Sequence, residues 1–588
     1  MKRLTVSFAA LLALFCLLPH THAAEVTLTD GVTLSIDSTV SVGLSIRTED
    51  RDDGIIGRAN GGTFNSVNYD NGNLNYDEGD IFSAPLKLTQ ELNMDLYDTK
   101  IFGRWTAFYD FEIMDGDTER TELGETAENN LGYDIRLLDL FATHDFDVGG
   151  KLVQAKAGNI VLNWGETLFI QNGINEINPI RVPALRLAGA ELREGLIPVT
   201  GVDLNFEVAD GLSAEAFYLF EFDNTTIEPE GTFFSINDFA SPGGDAVMLG
   251  FGAIDNPAAI GAGTGLAAPV GVGVRRGPDR HADDQGQFGI ALRYLAEELN
   301  SSEIGLYWTH LHSRLPLLSA TTATPAALAA GDFASGAEYF REFPEDLDTF
   351  GVSFNTAVGE TAVAGEVAYH VDRPLQIDEV ELLYAALSPI DLASGNAVFS
   401  RGQLGQANFG EEITGYREKD VVQVSFNTSK FLDGNLLGSD SLLVLGEVGA
   451  TYVDGLESKD ELRYNGPGTD TGGGAFFTAA GIQPETQTDG FADDFSWGYR
   501  LVARGEYNNA IGSVNLAPTL AFRHDVTGTT PGPGGNFVED RMQVTAGVGA
   551  TFQQNLQGNV SYTNFFGGDE FNQLNDRDFV TISTSYSF

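Results

Sequence analysis

Between residues 163 and 199 the sequence NWGETLFIQNGINEINPIRVPALRLAGAELREGLIPV gathers Trp164, Glu166, Asn175, Asn178, Arg181, Arg186, Glu191, Arg193 and Glu194. An aromatic face can hold an apolar body while amides and charges orient a polar head, so the chemistry on offer is binding and steering of a solute. Arg181, Arg186 and Arg193 form a local cluster of positive charge on a chain with 33 basic and 84 acidic residues. Projecting into a cavity, they would attract a carboxylate or phosphate group; paired with Glu166, Glu191 and Glu194, they would hold the segment in place. Trp164 serves equally well as a packing anchor, because buried indoles usually fill volume.

Signals for covalent chemistry are weak. The sequence contains no G-x-S-x-G elbow, Walker loop or H-E-x-x-H. Gly261-Ala262-Gly263-Thr264-Gly265 lacks the spacing and strand-to-helix context of a dinucleotide loop. His310 and His312 fall on one face of a strand and could bind a metal with a third ligand; the simpler reading is a polar pair facing a lumen. The run YDNGNLNYDEGD, ending at Asp80, is rich in oxygen ligands but misses the EF-hand spacing, and turn formation explains it. The chain is therefore expected to be no enzyme, with no catalytic residue, cofactor or metal. A formal charge of −51 opposes nucleic-acid binding, since a phosphate polymer would be repelled.

The elements that must position these residues are strands. From Phe579 to Phe588 the chain alternates strictly, with Val580, Ile582, Thr584, Tyr586 and Phe588 on one face and Thr581, Ser583, Ser585 and Ser587 on the other. A tilted strand of this length crosses a bilayer's hydrocarbon layer. Its aromatic end looks like the terminal recognition strand of bacterial outer-membrane barrels, which implies a barrel-assembly machinery as partner. Lys2 and Arg3 precede an apolar run from Leu4 to Leu18, the pattern of a secretory signal peptide over 1–23. The single cysteine, Cys16, lies inside that run, and Phe15 before it opposes a lipoprotein box. No later apolar stretch has helix-spanning length, and mean hydropathy is −0.08.

Alternating runs recur at about 32–47, 86–97, 101–114, 134–147, 151–162, 201–208, 212–223, 288–299 and 302–315. They continue at about 348–358, 361–373, 419–429, 442–455, 498–509, 512–525, 542–553, 557–565 and 578–588. Short and long connections alternate between them. The fold class expected is all-β: a monomeric transmembrane antiparallel up-and-down β-barrel of about 14 to 18 strands, one domain over 24–588. Pairing the last run with the first would close it and remove both exposed edges. Residues 163–199 interrupt the meander. Leu185, Ala188, Gly189, Leu192 and Leu196 fall at helical spacing between Pro183 and Pro198, so this stretch is expected to be an inward plug segment with a short helix. A cap over one mouth is the alternative.

At this segment the chain resembles a family of Gram-negative outer-membrane proteins known as domain of unknown function 1302. The residues that carry the resemblance are Gly158-Asn159, Asn163-Trp164-Gly165-Glu166, Gln171, Gly173-Ile174-Asn175, Ile177-Asn178-Pro179, Gly189-Ala190-Glu191-Leu192, Glu194 and Ile197-Pro198-Val199. Further likeness lies in Gly72-Asn73-Leu74-Asn75, in Gly365-Glu366-Val367-Ala368-Tyr369 with Arg373-Pro374-Leu375, and in Asp576-Arg577-Asp578-Phe579. The resemblance implies a barrel in the Gram-negative cell outer membrane. It also implies partnership with a periplasmic carrier resembling lipid carriers and an inner-membrane exporter of the resistance-nodulation type. The function it implies is passage or export of hydrophobic or lipid-like small molecules. Two other readings stand beside it: a structural or adhesive surface barrel, and an outer-membrane hydrolase using His310 with a neighbouring serine. Acidic clusters such as Asp77-Glu78-Gly79-Asp80 could meet divalent cations that bridge to lipopolysaccharide and outer-membrane lipids, or could serve solubility alone.

Overall fold

The computed structural model describes residues 24–260, 272–330, 333–433 and 438–588. The expected signal peptide and the Gly261–Gly265 run lie outside these described residues. Eighteen strands close into an antiparallel barrel. They are β1 (Val32–Arg47), β2 (Pro85–Leu96), β3 (Thr99–Asp110), β4 (Tyr133–Val148), β5 (Lys151–Ile160) and β6 (Val199–Ala209). Next come β7 (Leu212–Leu219), β8 (Gln287–Ala296), β9 (Ser302–Leu311), β10 (Leu347–Val358), β11 (Thr361–Gln376) and β12 (Tyr416–Asp433). The last six are β13 (Ser441–Val453), β14 (Phe495–Ile511), β15 (Val514–Thr527), β16 (Met542–Phe552), β17 (Leu556–Phe566) and β18 (Phe579–Ser587). Each alternating run of the sequence corresponds to one of them, at the upper end of the expected number.

Closure occurs where the sequence places it. β18 pairs with β1 from Thr39 opposite Ser587 to Arg47 opposite Phe579. Phe588 and Ser38 exchange two main-chain hydrogen bonds, at 2.8 and 2.9 Å. The rest of that edge of β1 is covered by an N-terminal strand, Ala24–Thr29, which folds back on Val32 to Ile36. Every wall strand is thereby paired on both sides, with residues 133–139 of β4 extending beyond the end of β5.

The pleat sorts the side chains. On β9, Ile304 and Leu306 are 40% and 52% exposed to the outside, while on β10 Phe350, Val352 and Phe354 form the same kind of outward row. On β18 the polar row points inward: Thr581 meets Ser45 at 3.3 Å, and Thr581, Ser583 and Ser585 line a cavity inside the barrel.

Short turns lie at one end and long connections at the other, the latter spanning 48–84, 111–132, 161–198, 220–286, 312–346, 377–415, 454–494, 528–541 and 567–578. Segment 163–199 accordingly does not break the meander; it is the third of the long-end connections. Asn509, at φ 53°, sits in a bulge inside β14, and the reversal to β15 falls between Ile511 and Val514. The single helix expected over 185–196 is two short pieces, α1 (Val182–Arg186) and α2 (Leu192–Gly195). Gly189 between them adopts φ +75°, which no α-helix can contain, and Glu191 and Glu194 form a capping box that starts α2 afresh.

A second layer sits over the long-connection end. Ala246–Met248, Gly273–Arg276, Glu338–Glu342, Leu317–Thr321 and Glu412–Ile413 form a five-stranded sheet. Helix α3 (Glu379–Leu387) packs against it, around a core that includes Phe239, Val274, Leu318, Tyr339, Tyr384 and Phe477.

Candidate functional site: a wall-bound connection and two cavities

Residues 161–198 leave β5, bond side chains of several wall strands and return to β6. Asn178 ties the two ends together. Its Oδ1 accepts from the Leu162 amide at 2.8 Å, and its Nδ2 donates to the carbonyls of Ile160 and Ile197 at 3.0 and 2.9 Å. Beyond this staple the segment is gripped by carboxylates of the opposite wall. Glu366 on β11 accepts from the amides of Glu166 at 2.5 Å and Ile174 at 2.9 Å. Glu447 on β13 accepts from Leu168, Phe169 and Ile170 at 2.9, 2.6 and 2.9 Å. Gly165 is required beside Glu366, because a Cβ there would stand 2.4 Å from the carboxylate oxygen.

The other half of the segment reaches the closure seam. Ala188 packs into the space left by Gly43 of β1, and Gly189 lies beside Ser41 and Ser583. The segment therefore touches both β1 and β11, eight strands apart round the eighteen-strand ring. Motifs far apart in sequence meet here. Arg373 bonds Glu176 at 2.9 Å, and the carbonyl of Gln171 accepts from Gln423 and Asn536 at 3.1 and 2.7 Å. At the rim, Arg47 ties Asn73 to Asp576 through bonds of 2.8 and 3.0 Å.

The remaining expected residues fall as follows. Trp164 is 1% exposed, lies edge-on to Phe217 at 4.9 Å, and donates from Nε1 to Glu215 at 2.9 Å. Glu166 accepts from Asn355 at 3.0 Å, and Asn175 donates to Asn163 at 2.5 Å. Arg181 pairs with Asp134 at 3.2 Å over the ring of Phe108, and Arg186 with Glu228 at 3.3 Å over Phe234. Arg193 bridges Glu91 and Glu191, and Glu194 binds Lys87 at 2.5 Å. The three arginines therefore hold the segment, chiefly through acids outside it rather than through Glu166, Glu191 and Glu194.

The unforeseen positive cluster lies elsewhere. Arg500, Arg523 and Arg541 converge on the buried Asp525 at 2.7, 3.2 and 2.7 Å, three guanidinium groups on one carboxylate. Arg523 and Arg541, with Arg504, Lys87 and Arg186, line a polar cavity of about 630 Å3 between residues 185–191 and the inner faces of β1, β2 and β14 to β18. In-register pairing of Arg500 with Arg523 across a hairpin was the available signal.

A second cavity, of about 320 Å3, lies in the layer over the long-connection end. Phe239, Val274, Leu318, Leu382 and Phe399 give it mainly apolar walls. Tyr69, Glu379 and Asp470 are among its few polar groups.

One expectation is corrected. His310 shares the outward face of Ile304 and Leu306, so it does not face the lumen. Its ring nitrogens meet Asp348 and Asp346 at 3.0 and 3.3 Å, and among the described residues no serine hydroxyl bonds it. It belongs to an aromatic rim with Trp308 and Phe288. In the Asp70–Asp80 run, Asp77 and Asp80 come together with Glu119, but Arg51 already pairs with Asp77 at 2.6 Å and the Asp77 amide bonds Asp80 at 2.7 Å.

A closed barrel with an apolar outer belt, short turns at one end and long connections at the other is an outer-membrane-type β-barrel. The chain belongs to the family described as Protein of unknown function (DUF1302), whose model matches residues 4–588. Comparison with curated proteins finds no match. Among solved structures, Acinetobacter baumannii OccAB3 is similar at 8% identity and a TM-score of 0.40, covering 94% of this chain and 99% of that one. A BenF-like porin from Pseudomonas fluorescens Pf-5 gives 10% and 0.39, with 94% and 98% covered. The outer membrane channel DcaP of Acinetobacter baumannii gives 9% and 0.34, with 96% and 100% covered. At these scores the barrel assignment rests on the strand ladder itself.

Proposed function

We propose that this protein is an outer-membrane channel for passage or export of hydrophobic or amphiphilic small molecules, and that residues 161–198 act as a plug limiting its lumen. What supports the reading is the apolar cavity of about 320 Å3 over the long-connection end of the barrel, together with the bonds that tie residues 161–198 to the wall strands. A water-filled pore for polar solutes has no use for an apolar chamber at its mouth, whereas a poorly soluble molecule needs shelter from water before it meets a polar lumen. Passage would be passive, with no chemical energy supplied in this membrane. Barrels of this build put long loops outside and short turns in the periplasm. A periplasmic carrier and an inner-membrane exporter, the partners implied by family likeness, would then act at the short-turn end.

The test is reconstitution of the full chain and of a variant lacking 180–196 into liposomes and planar bilayers. The variant is expected to raise conductance and solute leakage severalfold while keeping the barrel folded. Unchanged conductance would remove the plug assignment.

A further inference from the structure

The polar cavity beside residues 185–191 carries its charge unevenly. Of the five cations that line it, Lys87 is matched by Glu194 at 2.5 Å, Arg186 by Glu228 at 3.3 Å and Arg504 by Glu506 at 3.0 Å. Arg523 and Arg541 have no such match of their own. They share the buried Asp525 with Arg500, and among the described residues none of the three pairs with another acid. Their other shared acceptor is neutral: the Asn536 carbonyl takes bonds from Arg500, Arg523 and Arg541 at 3.4, 3.0 and 3.4 Å. Three guanidinium groups on one carboxylate leave positive charge in excess. That excess is open to the cavity, because the side chains of Arg523 and Arg541 are 33% and 19% exposed and both line it, whereas Asp525 is fully enclosed. Glu191 is the one acid among the described lining residues, and Arg193 holds it at 2.5 Å. Guanidinium groups crowded on one carboxylate repel one another, and an anion joining them from the open side relieves the repulsion.

We propose that this cavity binds an amphiphilic organic acid, with its carboxylate on Arg523 and Arg541 and its apolar body against Phe565, Phe579 and Phe234. Register puts head and body sites side by side. Arg523 lies opposite Gln543 and Gln543 opposite Phe565, so the three share one inward row across β15, β16 and β17. Two strand spacings, about 10 Å, separate the first from the last. Between them the wall is small: Gly549, Ser561 and Ser583 leave the space open. A planar guanidinium presents paired N–H donors that match the two oxygens of a carboxylate. A volume of about 630 Å3 lies within the range of small-molecule sites. An uncharged or cationic molecule of the same shape leaves the excess charge uncompensated.

The inference names the solute class for the channel reading and rests on it only for the cavity's place in transport. Three probes of one ring system separate the alternatives: 2-naphthoate, 2-naphthol and 2-naphthylmethylammonium, measured by equilibrium dialysis at neutral pH on the full chain in phosphatidylcholine nanodiscs against empty nanodiscs. Saturable binding of 2-naphthoate is expected, at least ~10-fold tighter than 2-naphthol, with no saturable binding of the ammonium. Arg523→Gln should weaken naphthoate about 10-fold and leave naphthol unchanged, with heat-modifiable migration in gels showing the barrel folded. Gly549→Trp alters no charge and fills the cavity, since a Cβ there meets nothing nearer than 3.8 Å. It should remove naphthoate binding. Equal binding of naphthoate and naphthol, or naphthoate binding that survives either substitution in the folded barrel, overturns the proposal. Saturable naphthoate binding without naphthoate flux in proteoliposomes supports the site and takes the cavity off the transport route; flux without saturable binding overturns the site and leaves the channel reading standing.

Discussion

Glu366 and Glu447 use both carboxylate oxygens on main-chain amides of residues 166–174, five bonds in all. Hydrogen bonds to a charged group contribute about 1.5–3 kcal/mol each, so losing either side chain loosens the half of the segment nearest β10 to β13. Glu447→Ala is expected to raise single-channel conductance in planar bilayers with barrel folding unchanged, as judged by heat-modifiable migration in gels. A wild-type conductance would mean that the amides find other acceptors. Trp164→Ala should cost roughly 3–5 kcal/mol of stability, seen as a lower denaturant midpoint in detergent, because the indole is fully enclosed. A solute-holding tryptophan would instead lose flux and keep its midpoint. Sequence showed which residue types would matter at this scale but not their partners. Arg181 and Asp134 are separated by 47 positions, and Glu447 lies 277 positions from the amide of Ile170. Such pairings are products of closure, invisible to local spacing.

Among the elements, the wall strands were legible because alternation of period two is imposed by lipid on one side and a polar lumen on the other. The two helical pieces were misread as one. Apolar spacing from Leu185 to Leu196 satisfies a helix, but the wall decides the outcome: Gly189 must approach Ser41 and Ser583, and the chain turns there. The same contact offers a test. A Cβ at Gly43 would stand 2.2 Å from that of Ala188. Gly43→Val should therefore push residues 187–191 off the seam while leaving the pairing of β1 with β18 intact. The expected result is a conductance increase of the same sign as the 180–196 deletion, and smaller. Conductance equal to wild type would show that the seam contact does not hold the segment. The small five-stranded sheet escaped sequence reading for a different reason. Its strands run two to five residues, too short for a period to register.

On the scale of the molecule, the excess of acid is concentrated in its effect on the outer layer. Burial raises Asp70 to about 6 and Glu230, Glu379 and Asp470 to about 7. A carboxyl whose folded pKa exceeds its unfolded value of about 4 holds its proton better when folded. Its stabilising contribution is complete below about pH 4 and is lost as pH rises through 7. Hydrogen exchange of residues 379–394, corrected for intrinsic rates, should thus show greater protection at pH 5.5 than at pH 8. Equal protection at the two pH values would mean that cations or water compensate the buried charge.

The sequence by itself determined the barrel: eighteen alternating runs, alternating short and long connections, and the inward polar row of the last strand follow from residue order, since each depends on neighbours two positions apart. It also marked residues 163–199 as the unusual connection. What only the tertiary structure decided is how that connection is held. Ring closure brings β1, β11 and β13 around one segment and converges Arg500, Arg523 and Arg541 on Asp525. Those relations join residues hundreds of positions apart, and they exist only once the sheet has closed on itself.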